Sequence, residues 1–469
     1  MKRKILALIL ALTFVLSAVA VPVSAAAEPT YEQTIPHINI HGFMSGTLYT
    51  DKNNPDSDPI WPPQGDGIKD AIFDLLPSLF KYIFTRNTTE HMEDICEAVN
   101  GLFGPLMCDS NGNPLLAGSG AYLSRPTKEE VLANPTIEFP YDWRVDPFET
   151  AKSLNEFINY LTDDLGFGQV VVECHSNGGT ILLTYFSVYG TEKVRSCCFS
   201  ASAVYGAGFA AELIQGRIHI YGDGLTEFLK SVLCNNEKAK LFNVIINICS
   251  KLGIINGLSK FLNNLLTDAR DVFYNNSVIP IFGNWLNVWA MVPDDAVNIG
   301  KEYMGTYFNL DPQGEYKDFF AKVDNYTDKV RNSRETILNE INDNCNLYIF
   351  SFYDCAGIPI TADWSTMSDG VLHSEDTSFG AQFKPYGSSD TFPAGEDVSP
   401  DGKCDASSAR FKDQTWFFKD VNHMYKCDYL NEMAKVLLYS DGQATVDTYE
   451  KYPQFLMYDL DAKEICPAK

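Results

Sequence analysis

Val170-Val171-Val172-Glu173-Cys174-His175-Ser176-Asn177-Gly178-Gly179 is an apolar run that ends in a serine and two glycines, then passes straight into the apolar stretch Thr180 to Tyr189. Gln169 to Cys174 has the length and β-branched content of a buried strand, and Thr180 to Tyr189 reads as a helix. A serine on the sharp turn between such a strand and helix is a nucleophile elbow. Small flanking residues let its strained backbone pack closely. The usual pattern places glycine two residues before and two after the serine. Gly178 fits, whereas Cys174 stands where the first glycine belongs. Cysteine is small enough to be tolerated there, and the strand before and helix after argue against a chance turn.

A serine hydroxyl attacks poorly until a base takes its proton, and the base needs an acid to orient it. With this elbow the chain order is serine, acid, histidine. Only His219, His373 and His423 follow Ser176. His219 falls in a region that interrupts the strand rhythm, and His373 sits just after the best acid candidate. His423 follows the short apolar segment Phe417-Phe418 and precedes a helix expected from Tyr429 to Leu438, which is where the base belongs. The acid is expected after the strand Asn346 to Tyr353, where Asp354, Asp363, Asp369 and Asp376 are available. Asp369, beside Gly370 and before an apolar run, is the first choice, and Asp354, nearer the strand, the second. Two backbone N–H groups must meet the developing oxyanion. Asn177 supplies one, and Phe43, in His41-Gly42-Phe43-Met44-Ser45-Gly46 after the first strand, the other.

Outward from the elbow, short apolar strands alternate with helices: His37 to His41, Thr136 to Pro140, Gln169 to Cys174, Val194 to Ala201 and Asn346 to Tyr353. That rhythm implies a mostly parallel central sheet with helices on both faces, an α/β-hydrolase fold. Residues 51–130 read as Pro- and Asn/Asp-rich loops around apolar helices such as Leu76 to Phe84, and residues 380–412 as a polar loop. Residues 206–335 are densely apolar and helical, as expected of a lid inserted over one end of the sheet. The expected division is a signal peptide at 1–27, a core at 28–205, the lid at 206–335 and the rest of the core at 336–469.

The leader assignment rests on Lys2-Arg3-Lys4, the apolar run Ile5 to Ala20 and the small residues Ser24 to Ala27. An uncleaved membrane anchor is the alternative. No second run of that length follows, so a secreted chain without a membrane span in its mature form is expected. The net charge of −25 leaves no electrostatic footprint for nucleic acid and disfavours anionic surfaces. The twelve cysteines contain no C-x-x-C. Cys96 with Cys108 or Cys404 with Cys427 could close short loops, and buried free thiols fit equally well. Asp109 to Pro114 imitates a calcium loop but lacks its turn glycine and closing glutamate, so a plain turn is expected. The chemistry needs no cofactor and no metal.

Phe139-Pro140-Tyr141-Asp142-Trp143-Arg144, some thirty residues before the elbow, resembles a motif of the lecithin:cholesterol acyltransferase-like lipases. The glycine-containing run His41 to Gly46 and Trp285-Leu286-Asn287-Val288-Trp289-Ala290-Met291-Val292-Pro293 are also similar. Ser368-Asp369-Gly370-Val371 and Asn422-His423-Met424 resemble segments of bacterial lipases. The resemblance covers residues 35–435 in islands. It implies that Ser176, Asp369 and His423 form the triad, that Asp142 and Arg144 form a structural ion pair, and that the substrate is a lipid ester, met at a lipid–water interface. Tyr425 stands where some bacterial lipases place a calcium-binding aspartate, so no metal is carried over. Acyl transfer to an alcohol, cleavage of small esters, and a non-catalytic binding module remain as alternatives. Oligomeric state is unknown from sequence.

Overall fold

Eight strands make one sheet: β1 (His37–Ile40), β2 (Thr136–Phe139), β3 (Val170–His175), β4 (Val194–Ser200), β5 (Asn346–Tyr353), β6 (Thr415–Lys419), β7 (Phe455–Asp459) and β8 (Glu464–Pro467). This computed structural model describes residues 35–63, 78, 81–82, 84–232 and 239–469. The expected leader at 1–27 and most of the helix expected from Leu76 lie outside those residues. The strand order is β8-β7-β6-β5-β4-β3-β1-β2. Every pair is parallel except β7–β8, an antiparallel hairpin at one edge.

Parallel strands are covered on both faces and so read as continuous apolar runs. Alternate residues of β3 show this. Val170, Val172 and Cys174 enter one core with Ile38, Ile40, Phe199 and Ile349, and Val171 enters another with Cys198, Phe350, Trp416 and Phe418. Helices α1 (Pro147–Asn159) and α2 (Asn177–Tyr189) cover the first face, and α3 (Asp428–Leu438) the second through Leu430, Met433, Ala434 and Leu437. Each Val, Leu, Ile, Phe or Met side chain among these, fully buried, contributes about 1.5–3 kcal/mol. The result is the expected α/β architecture, an eight-stranded, mostly parallel sheet between helical layers, with a helical insertion around residues 208–344 between β4 and β5.

Three features depart from the sequence reading. The hairpin β7–β8 was not expected at all. The stretch 51–130, expected as loops and helices, does hold a helix, Thr88–Phe103, but also the strands Pro59–Trp61 and Gly120–Ala121, which pair with Leu48–Tyr49 just before it in a small antiparallel sheet. The polar loop at 380–412 pairs Gln382–Phe383 with Cys404–Asp405. Eleven described cysteines are free, Cys96, Cys108, Cys404 and Cys427 among them, and nine are buried. Asp109 Oδ1 accepts from the backbone N–H groups of Asn111 and Asn113, as in a plain Asx turn.

Within the insertion, helices Gly222–Val232, Ala239–Lys251 and Ile254–Asp268 enclose a small core of their own: Leu225, Leu229, Ile246, Cys249 and Ile255. They are tied to the loop that leaves the carboxyl end of β5. The Ala356 N–H donates to Ser231 Oγ (2.8 Å), and the Tyr221 N–H donates to the Pro359 carbonyl (2.9 Å). The group therefore stands at the end of the sheet where the parallel strands finish.

Candidate functional site

Ser176 sits between the last residue of β3 and the first of α2 with φ 55° and ψ −124°, a conformation that costs a non-glycine residue about 1–3 kcal/mol. Backbone bonds clamp it there. Its N–H donates to the carbonyls of Ser200 (3.2 Å) and Ala201 (3.1 Å), and its carbonyl accepts from Gly179 (3.0 Å) and Ala203 (2.9 Å). The glycines behind it are required by space. A Cβ on Gly178 would run into the Ile40 carbonyl and stand 2.8 Å from that of His41. One on Gly179 would lie 2.6 Å from Ser202 Cβ. Cys174, in place of the usual first glycine, is fully buried with its Sγ 3.4 Å from the Cys198 carbonyl. Burial pushes its thiol far above the ordinary range, so it packs as a small apolar group.

His423 and Asp369 meet. His423 Nδ1 is 2.7 Å from Asp369 Oδ2, and both residues are buried. Because the carboxylate accepts, Nδ1 carries the proton and Nε2 remains the basic nitrogen. Asp369 Oδ1 accepts from the N–H groups of Val371 (2.8 Å) and Leu372 (2.7 Å). The two loops are also joined through backbone, His423 N–H to Asp369 carbonyl (2.7 Å). Gly370, at φ 100°, makes the turn that folds these donors back onto Asp369.

The elbow and the His423 loop touch through His175, whose Nε2–H donates to the His423 carbonyl (2.9 Å) and whose ring centroid lies 4.7 Å from that of His423. Burial first, and then the neighbouring His423 and Lys426, hold the His175 imidazole well below its ordinary pKa and hence neutral. Sequence reasoning missed His175. Its only signal was a histidine directly before the elbow serine.

The other candidates lie elsewhere. Asp354 faces Lys419 Nζ at 3.5 Å, His373 lies between Asp363 and Asp376, and His219 is in the insertion beside Tyr221.

Gly42 brings the first loop against the serine, since a Cβ there would be 2.9 Å from Ser176 Cβ. Phe43 follows, its ring against Trp143 (5.4 Å) and Trp285 (5.9 Å). Asn177 opens α2, so its N–H belongs to the first turn, whose donors have no helical partner. Its buried side chain reaches Tyr141 Oη (3.1 Å) and Asn287 Oδ1 (3.4 Å), and Tyr141 donates onward to the His41 carbonyl (2.9 Å). This network joining elbow, first loop and insertion was not foreseen either. Arg144 and Asp142 form a bidentate ion pair (2.9 and 2.7 Å) with the guanidinium fully buried.

No family model matches the chain, and no curated protein matches it. Among solved structures, one of a Tle4–Tli4 complex aligns over 69% of this chain and 75% of its own, at 12% identity and a TM-score of 0.26. So loose a superposition bears no functional argument. The reading below rests on the residues.

Proposed function

We propose that this chain is a serine hydrolase that cleaves carboxylic esters of lipids through an acyl-enzyme. The reading is carried by a serine on a strained elbow whose neighbour His175 touches the loop of a buried histidine, His423, with its Nδ1 held by a buried carboxylate. In this reading His423 Nε2 takes the Ser176 proton as Oγ attacks the ester carbonyl. Asp369 stabilises the imidazolium, and the Asn177 and Phe43 N–H groups meet the oxyanion at the start of α2, where the helix dipole favours negative charge. His423 then gives the proton to the departing alcohol. A water, deprotonated by the same imidazole, releases the acid and restores the serine.

The lipid substrate is supported by the resemblance to lecithin:cholesterol acyltransferase-like lipases and by the apolar insertion at the site's end of the sheet. The leader-like residues 1–27 support a site of action outside the cytoplasm.

The test is labelling with a serine-directed fluorophosphonate, read by intact mass. Wild type and His373→Ala should take up one label at Ser176. Ser176→Ala should take up none, and His423→Ala should react at least about a thousandfold more slowly. Label on another residue, or undiminished reaction in His423→Ala, would discard the assignment.

A further inference from the structure

Helix Ala239–Lys251 is amphipathic in an inverted sense. Ile246 and Cys249 face the insertion's own small core, while Leu241, Val244, Ile245, Ile248 and the following Leu252 form one outward row, between 42% (Ile245) and 69% (Leu252) exposed. Their spacing of three or four residues keeps them on one face. An exposed contiguous apolar row is costly in water and marks a contact surface.

Charge narrows what covers it. From Ala239 to Thr267 the chain carries Lys240, Lys251 and Lys260 and no Asp or Glu, within a protein of net charge −25. All three lysines are exposed, and Lys240 and Lys251 flank the stretch from Leu241 to Ile248. Lys240 also meets Asp461 at 2.6 Å in a pair open to solvent, which holds it only weakly. A second copy of so acidic a chain would be repelled, which disfavours self-association through this face. No single helix among the described residues is long and apolar enough to cross a membrane; this helix and the next, Ile254–Asp268, reach that length only as a pair bent by 66°.

We propose that this face is a docking surface for a zwitterionic phospholipid layer. The helix lies in the plane of the interface with Leu241, Val244, Ile245, Ile248 and Leu252 among the acyl chains. The lysines reach up to headgroup phosphates, and the absence of net surface charge spares the rest of the molecule repulsion. The inference deepens the lipid-ester reading and rests on it for its setting, while its test needs no turnover.

Phosphatidylcholine vesicles are sedimented with the Ser176→Ala chain and with the same chain carrying Val244→Glu and Ile248→Glu, both already in solvent. Partitioning should fall by at least about tenfold in the latter, with unchanged circular dichroism. Leu115→Glu, at an exposed leucine outside the insertion, should leave it within about twofold. With Ser176 intact, Val244→Glu/Ile248→Glu should hydrolyse a soluble short-chain ester as wild type does. Lack of ester turnover in wild type would strike the catalytic reading and leave the vesicle result standing. Vesicle binding that is absent, or indifferent to the two substitutions, overturns the proposal. So does a concentration-dependent dimer that they abolish, which would assign the face to a second copy.

Discussion

Asp369 and Asp354 both follow β5, and their surroundings differ. Asp369 is fully buried, accepts two backbone N–H groups and bonds His423, whereas Asp354 faces the ammonium of Lys419. Burial raises the Asp354 carboxyl above its ordinary range and Lys419 opposes that rise, as in a partly buried ion pair. An amide at 369 would keep the shape, lose the charge that stabilises an imidazolium, and favour the wrong tautomer. Asp369→Asn should therefore lower kcat on a soluble ester by at least about a hundredfold. Asp354→Asn should stay within about threefold, because it perturbs only an ion pair. The comparison is made on folded, purified variants, and a larger loss at 354 would move the acid to the strand end.

At the level of the element, α2 can start directly behind Ser176 only because its first turn lies against the end of β1. Gly178 has no room for a side chain between that turn and the carbonyls of Ile40 and His41, which are rigid backbone. Gly178→Ala should cost about 1–3 kcal/mol or more of stability and disturb the elbow with it. Gly101, inside helix Thr88–Phe103, has nothing within 4 Å of the same added atom. Gly101→Ala should raise stability by up to about 1 kcal/mol, since alanine loses less backbone freedom on entering a helix. Urea midpoints of both variants at unchanged m-value check the pair. A neutral Gly178→Ala would mean that the elbow is less tightly packed than its distances require.

For the whole molecule, the site is nearly sealed, with Ser176 8% and His423 4% exposed, while apolar surface is exposed on the insertion at the same end of the sheet. Under the proposed function, a lipid ester would enter by a movement that bares more apolar surface. Each Å² of it that meets lipid instead of water gains roughly 25 cal/mol, so an interface favours the open form. Rate against concentration of a short-chain ester should break upward where the ester passes its solubility limit, and a dispersed long-chain ester should be turned over. Zwitterionic dispersions should serve better than anionic ones at low salt. The gap should shrink as the Debye length falls to about 10 Å at 0.1 M. A single saturation curve without long-chain turnover would leave small esters as the substrate.

Several features could be read from residues alone because their cause is local. β3 to β5 announce themselves as largely apolar runs, since these central parallel strands are covered on both faces. The elbow announces itself because only small residues fit a turn with φ 55° at Ser176, and the order serine, acid, histidine then narrows the bases to three. What remained illegible depends on groups far apart in sequence. The hairpin Phe455–Asp459/Glu464–Pro467 lies at an edge and buries only alternate residues, and the two- and three-residue strands near Leu48 are too short to show a period. Whether cysteines pair is a matter of distance and direction between their Cβ atoms, which spacing along the chain does not contain. The surroundings that distinguish Asp354 from Asp369 come from Lys419, sixty-five positions from the first, and from a glycine turn that folds two N–H groups onto the second. The tie between His175 and the His423 loop spans 248 residues. Local sterics and burial write strands and turns into the sequence, whereas partners that meet only when the sheet closes exist in the tertiary structure alone.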